Sequence, residues 1–185
     1  MILSDSQICR LAKAGMITPF SERLVGKAEG VLSFGVSAAG YDIRLGTEFK
    51  EPKSHDIVLD PKHILEDDYR HFTCAGPLVM EPGRCILGRS VEVFRLPRTV
   101  LGLATNKSTY ARLHLDASRV TVAEPGWSGV LTIELSNQGA NPIVIYPGEG
   151  ILQMLFFKVV DDCDVSYDER GGKYMNQEGV VLSRI

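Results

Sequence analysis

The sequence predicts a mainly β fold, a distorted jelly-roll or β-barrel with a short N-terminal helix and few other helices. Three observations carry this. From Pro77 onward, short apolar runs of strand length alternate with turn residues. Pro82-Gly83 and Pro147-Gly148 are turn signals at matching places before apolar strands. A helical stripe, by contrast, stands out at residues 5–15. The chain has 185 residues, a length for one domain spanning 1–185 that buries roughly 70% of the surface its unfolded form exposes.

The elements follow in order. Over residues 5–15, Ser4 or Asp5 can cap a helix, Ile8, Leu11 and Ala12 share an i, i+3, i+4 stripe, and Gly15 stops it. Gly26 to Gly40 is glycine- and serine-rich, with an apolar Val31–Val36 run expected to lie on the body. Tyr41 to Leu45 alternates like a strand, with Asp42 and Arg44 on one face, read as an ion pair serving structure or a subunit contact. Residues 51–73 read as loop with a short strand at Ile57-Val58-Leu59, and His55, His63 and His71 as surface groups. Strands are then expected at 77–80, 85–88, 91–96, 101–104, 130–135, 143–146 and 150–157. Gln153 interrupts the last of these, where an unpaired amide costs about 1–3 kcal/mol, so it needs a backbone group or a ligand edge as partner.

Several classes of function are disfavoured. Twenty basic and 23 acidic residues give a net charge of −3 without a basic run, so nucleic acid is not an expected partner. The start lacks the layout of a signal peptide and no apolar run is long enough for a membrane span, which points to the cytoplasm. Cys9, Cys74, Cys85 and Cys163 are irregularly spaced, as reduced thiols are. No His-x-Glu and no Cys-x-x-Cys zinc-ligand pattern occurs, so zinc is not an expected cofactor.

The densest chemistry lies between Asn106 and Asn137. In Val130–Leu135, period-two alternation places Val130, Thr132 and Glu134 on one face. Glu134 is either a solvated strand residue or a desolvated carboxylate whose raised pKa suits proton exchange near neutrality. Upstream, Ser108 and Arg112 are one helical turn apart. Lys107, Ser108, Thr109 and Arg112 form either a phosphate cradle or a solvated turn with an N-cap serine.

Lys107-Ser108-Thr109-Tyr110-Ala111-Arg112 followed by Glu124-Pro125-Gly126-Trp127-Ser128-Gly129, Thr132-Ile133-Glu134-Leu135-Ser136-Asn137 and Gln153 resembles the dCTP deaminases of the dUTPase-related superfamily. Ile2–Asp5, Gly40–Leu45 and Gly171–Gln177 fit the same family, so the resemblance covers nearly the whole chain. It implies the dUTPase-like form of the fold and a homotrimer with sites between subunits. It further implies hydrolysis of dCTP to dUTP and ammonia, Mg²⁺ carried by the triphosphate rather than by protein ligands, and dTTP as a candidate inhibitor. The product would feed thymidine nucleotide synthesis. By the same resemblance Glu134, Ser108 and Arg112 are catalytic. Nucleotide contacts fall on Lys107, Ser108, Thr109, Tyr110, Ala111, Arg112, Glu124, Thr132, Ile133, Glu134, Gln153, Tyr167, Lys173 and Gln177. Residues 166–185 become a C-terminal lid, whose deletion is expected to leave a folded oligomer.

Three features depart from the family pattern: Lys107 where Arg is common, Asn106 in place of Gly, and an unusual Leu113–Ala123 loop. The alternatives are a dUTPase, a bifunctional enzyme releasing dUMP with Glu124 as second carboxylate, a deaminase of a modified deoxycytidine nucleotide, and a non-catalytic nucleotide-binding relative.

Overall fold

The structure, a computed structural model, describes residues 1–119 and 122–184. It is mainly β, with the expected N-terminal helix α1 (Asp5–Lys13). The Ser4 N–H donates to Gln7 Oε1 at 3.0 Å, which satisfies one orphan donor at the helix start. Ile8 and Ala12 are buried on its inner face.

One sheet contains β1 (Ile17–Thr18), β4 (Glu48–Pro52), β5 (Tyr69–Thr73), β7 (Cys85–Arg95), β9 (Leu115–Asp116) and β10 (Ser128–Asn137). Its order is β5-β4-β7-β10-β9, with β1 also on β7. A second sheet has the order β2-β3-β12-β8, from β2 (Gly35–Ser37), β3 (Gly40–Arg44), β12 (Gly150–Lys158) and β8 (Val100–Asn106). A two-stranded pair joins β6 (Leu78–Met80) to β11 (Ile143–Ile145). Both large sheets feed one core: Tyr41, Ile43 and Phe156 from the second meet Phe49, Phe94 and Ile133 from the first. Burying such side chains contributes about 1.5–3 kcal/mol each.

Four expectations change. Ile57–Leu59 is not a strand, and Val58 is exposed. Strands form instead on either side, at β4 and β5, where polar residues are held by pairing: Phe49 stacks on Phe72, and Lys50 reaches Glu66 at 3.0 Å. The two strands expected at 85–88 and 91–96 are one continuous β7, because Gly88 packs under Leu45 and Phe49 rather than breaking the ladder. Asp42 and Arg44 do not pair with each other. Arg44 donates to fully buried Glu92 at 2.8 Å, and Asp42 pairs with Lys107. The three histidines are exposed, as expected.

The fourth change concerns the C-terminal segment, which is described to Arg184 and is more than a polar cover. Val180 and Leu182 are buried, the Val130 N–H donates to Gln177 O at 2.8 Å, and Trp127 Nε1 donates to Tyr174 O at 2.9 Å. The segment therefore lies on β10 as part of the body, and its removal exposes core. Gly129 permits this close approach: its φ is +138° and a Cβ there would stand 2.6 Å from Gln177 N.

Candidate active site

Strand β10 places Glu134 opposite Leu87 and Thr132 opposite Arg89. The C-terminal segment crosses this face. Thr132 Oγ1 donates to Gln177 Oε1 at 2.9 Å and accepts the Val181 N–H at 3.3 Å, while Gln177 Nε2 donates to Tyr174 O at 3.2 Å. Strand and segment enclose a cavity of about 890 Å³ whose wall includes Glu134, Thr132, Glu124, Tyr167, Lys173 and Gln177. Six of the residues expected to contact nucleotide are thus brought together within one chain.

Glu134 is half-buried, and its buried Oε2 has no hydrogen-bond partner among the described residues. An unsatisfied buried polar atom costs about 1–3 kcal/mol, and more when charged, so this oxygen calls for a water or another donor beyond those described. Burial pushes the Glu134 carboxyl above the ordinary carboxylate range; Arg119 pulls it down and Asp116 pushes it up. Burial thus favours the desolvated carboxylate over the solvated strand residue.

Glu124 faces the same cavity but is engaged: Arg170, whose guanidinium lies 4.9 Å over the Tyr167 ring, forms an ion pair with it. Tyr167 OH accepts the Tyr174 N–H at 3.1 Å, and Lys173 Nζ donates to Arg184 O at 2.8 Å. Arg170 escaped sequence reasoning because its partner lies 46 residues away, beyond any local spacing.

The other predicted residues lie elsewhere. Ser108–Ala111 forms the expected helical turn, α2, with the Arg112 N–H donating to Ser108 O at 3.1 Å. Ser108, Thr109, Ala111 and Arg112 are exposed, and none lines the Glu134 cavity of its own chain. Lys107, rather than Ser108, is the N-cap residue. Tyr110 is buried, its OH accepting the Tyr146 N–H at 3.3 Å, and Ile133 is buried in the core. These two support the site rather than line it.

Lys107 is not a free cradle cation. Its ammonium pairs with buried Asp42 and donates to Ser33 Oγ at 2.8 Å. Gln153 joins the same cluster, donating to Asp42 Oδ1 and Ser37 Oγ, each at 3.1 Å. Its partners are side chains, where a backbone group or a ligand edge was expected. Of the unusual Leu113–Ala123 loop, Val120 and Thr121 lie outside the described residues.

Fold and cavity together define a β-sheet scaffold with a half-buried carboxylate of raised pKa in the wall of a cavity of about 890 Å³. The family model for dCTP deaminase-like proteins matches residues 2–159. A dCTP deaminase of Acidobacterium capsulatum is 42% identical over 187 residues, covering 100% of this chain and 99% of that protein. One from Pseudomonas aeruginosa is 44% identical, covering 99% and 98%. The chain belongs to the dCTP deaminase-like family. Among solved structures, 2'-deoxycytidine 5'-triphosphate deaminase from Agrobacterium tumefaciens matches with a TM-score of 0.63 at 22% identity, over 85% of this chain and 48% of that one, which shows a shared fold.

Proposed function

We propose that this protein hydrolyses dCTP to dUTP and ammonia, as a cytoplasmic homotrimer in which the 107–112 turn of one subunit completes the Glu134 cavity of the next. Glu134, half-buried with a raised pKa and with an Oε2 that has no partner among the described residues, carries the reading. Glu134 takes a proton from the water as its oxygen bonds to C4 and delivers it to N3. The second proton of the water then passes through Glu134 to the exocyclic amine. The C4–N bond breaks, ammonia leaves, and the C4 carbonyl of dUTP forms.

The subunit arrangement is supported by the exposure of Ser108, Thr109 and Arg112 away from their own chain's cavity, and by Leu113, half-exposed beside them. A guanidinium and a hydroxyl on one turn suit a water and a carboxylate supplied from across an interface. The triphosphate would meet Lys107, Ser108 and Thr109. Mg²⁺ fits as an ion carried by the phosphates, since Asp42, the carboxylate beside Lys107, has both oxygens engaged by Lys107, Ser33 and Gln153. When bound it neutralises phosphate charge. dTTP, which shares the triphosphate and deoxyribose, is the proposed inhibitor of the same cavity. The case for chemistry without zinc rests on the absent His-x-Glu and Cys-x-x-Cys patterns.

Release of dUMP would need a second activated water at the α-phosphate. Glu124 is the candidate base, and its ion pair with Arg170 favours dUTP as the end product. A time course on dCTP following ammonia, pyrophosphate and nucleotide tests both points. Ammonia with dUTP is the expected result; pyrophosphate rising in step with ammonia would establish the bifunctional reaction, and no ammonia would remove the deaminase reading.

A further inference from the structure

Asp116 collects more hydrogen bonds than its place in a two-residue strand requires. It accepts from Asn106 Nδ2 at 3.2 Å, the Ser118 N–H and Oγ at 2.9 Å each, Arg119 Nε at 3.0 Å and Gln138 Nε2 at 3.2 Å. These donors come from three separate segments: the end of β8, the loop after β9, and the residue after β10. Asn106 closes the arrangement from its other end, its Oδ1 accepting the Ala117 N–H at 2.7 Å.

The location gives this node its meaning. Asn106 directly precedes the Lys107–Arg112 turn. Asp116 is the cross-strand partner of Ser136, two residues along β10 from Glu134 and so on the same face. The charges of Asp116 and of Arg119, which it holds, both act on Glu134.

We propose that Asp116 is a positioning residue for the reaction: it fastens the 107–112 turn to the loop at 117–119 and holds Arg119 beside the strand that carries Glu134. A carboxylate with this many donors has one orientation, and so do the segments attached to it. Reaction rates depend steeply on such placement, because a misplacement of about 1 Å from a change away from the chemistry costs about 10²-fold. Asn106 then has a task that glycine cannot perform, since its amide supplies both a donor and an acceptor to the loop.

This inference rests on Glu134 as the proton carrier, so Glu134→Gln is assayed beside the test variants. Asp116→Ala, Arg119→Ala and the double variant are compared with wild type in kcat and KM for dCTP and in thermal midpoint. The expected result is a fall in kcat of about 10²-fold for Asp116→Ala, with KM changed by less than about threefold. Arg119→Ala should give a smaller fall, and the double variant should be no slower than Asp116→Ala, because Arg119 has lost its anchor. A folded Asp116→Ala with wild-type kcat, or effects of the two changes that simply multiply, would overturn the proposal. If Asp116→Ala does not fold, Arg119→Ala and Asn106→Ala decide in its place, and wild-type kcat in both rejects it. Wild-type turnover by Glu134→Gln would instead sink the underlying reading.

Discussion

Around Glu134, the cavity wall is supplied by one chain, with β10 on one side and the C-terminal segment on the other, and the polar groups of Thr132, Gln177 and Trp127 are already paired. Around Ser108 and Arg112, the same chain leaves a hydroxyl and a guanidinium exposed on a single helical turn. Among the described residues, the first region is well assembled but retains one carboxylate oxygen without a partner, while the side chains of Ser108 and Arg112 in the second find no acceptor. The shortage in one matches the surplus in the other. A single chain carries both halves of the proposed reaction without joining them, and the proposed function joins them at the interface between copies.

The strongest way to break this contrast is to disable the orphan oxygen. Glu134→Gln keeps the shape but cannot carry protons, so deamination should fall by at least about 10²-fold to 10⁴-fold while nucleotide binding persists. Rapid-quench turnover together with calorimetric binding checks it, and near-normal turnover would remove Glu134 from its role. Next comes deletion after Ser166. Because Val180 and Leu182 are buried and Gln177 bonds to β10, both activity and thermal stability should drop. Losing the burial of these two side chains alone costs about 3–6 kcal/mol. A truncated chain with an unchanged melting midpoint would return the segment to the status of a loose lid.

A subtler probe is pH. Burial raises the Glu134 pKa, and a base must be deprotonated to act. As pH falls, Glu134 gains its proton earlier than an ordinary carboxylate, so the acid limb of kcat should lie above the usual glutamate range. An acid limb below pH about 4.3, the unperturbed glutamate value, would contradict the desolvated site. The smallest expected effect is on the second region: Lys107→Met should raise KM for dCTP more than it lowers kcat, since Lys107 is held in the Asp42 cluster rather than beside Glu134. Steady-state kinetics separate the two parameters, and a fall in kcat with KM unchanged would place Lys107 in the chemistry.

The sequence makes the β architecture legible because alternation and Pro-Gly turns are local signals, and β10 with Glu134 on its half-buried face follows from them. The helical turn at Ser108 is equally local. What the sequence hides is long-range. Lys107 meets Asp42 across 65 residues, Arg170 meets Glu124 across 46, and Gln177 comes back to Thr132 across 45. The strand β4 escapes notice for a related reason: its charged Glu48, Lys50 and Glu51 are matched only by distant Arg89, Glu66 and Arg84. The C-terminal segment misleads by composition, its glycines and charges masking the two buried side chains, Val180 and Leu182, near its end.

If each site takes Glu134 from one copy and the Ser108–Arg112 turn from another, subunit mixing will restore activity. Ser108→Ala and Glu134→Gln chains, each inactive alone, are unfolded together, refolded at equal amounts and assayed for ammonia release from dCTP. Random assembly gives about a quarter of the sites an intact Glu134 and an intact Ser108 on neighbouring copies, so about a quarter of wild-type activity should return. If refolded wild-type protein regains activity but the mixture stays as inactive as its parents, both groups act within one chain, and the interface reading is wrong.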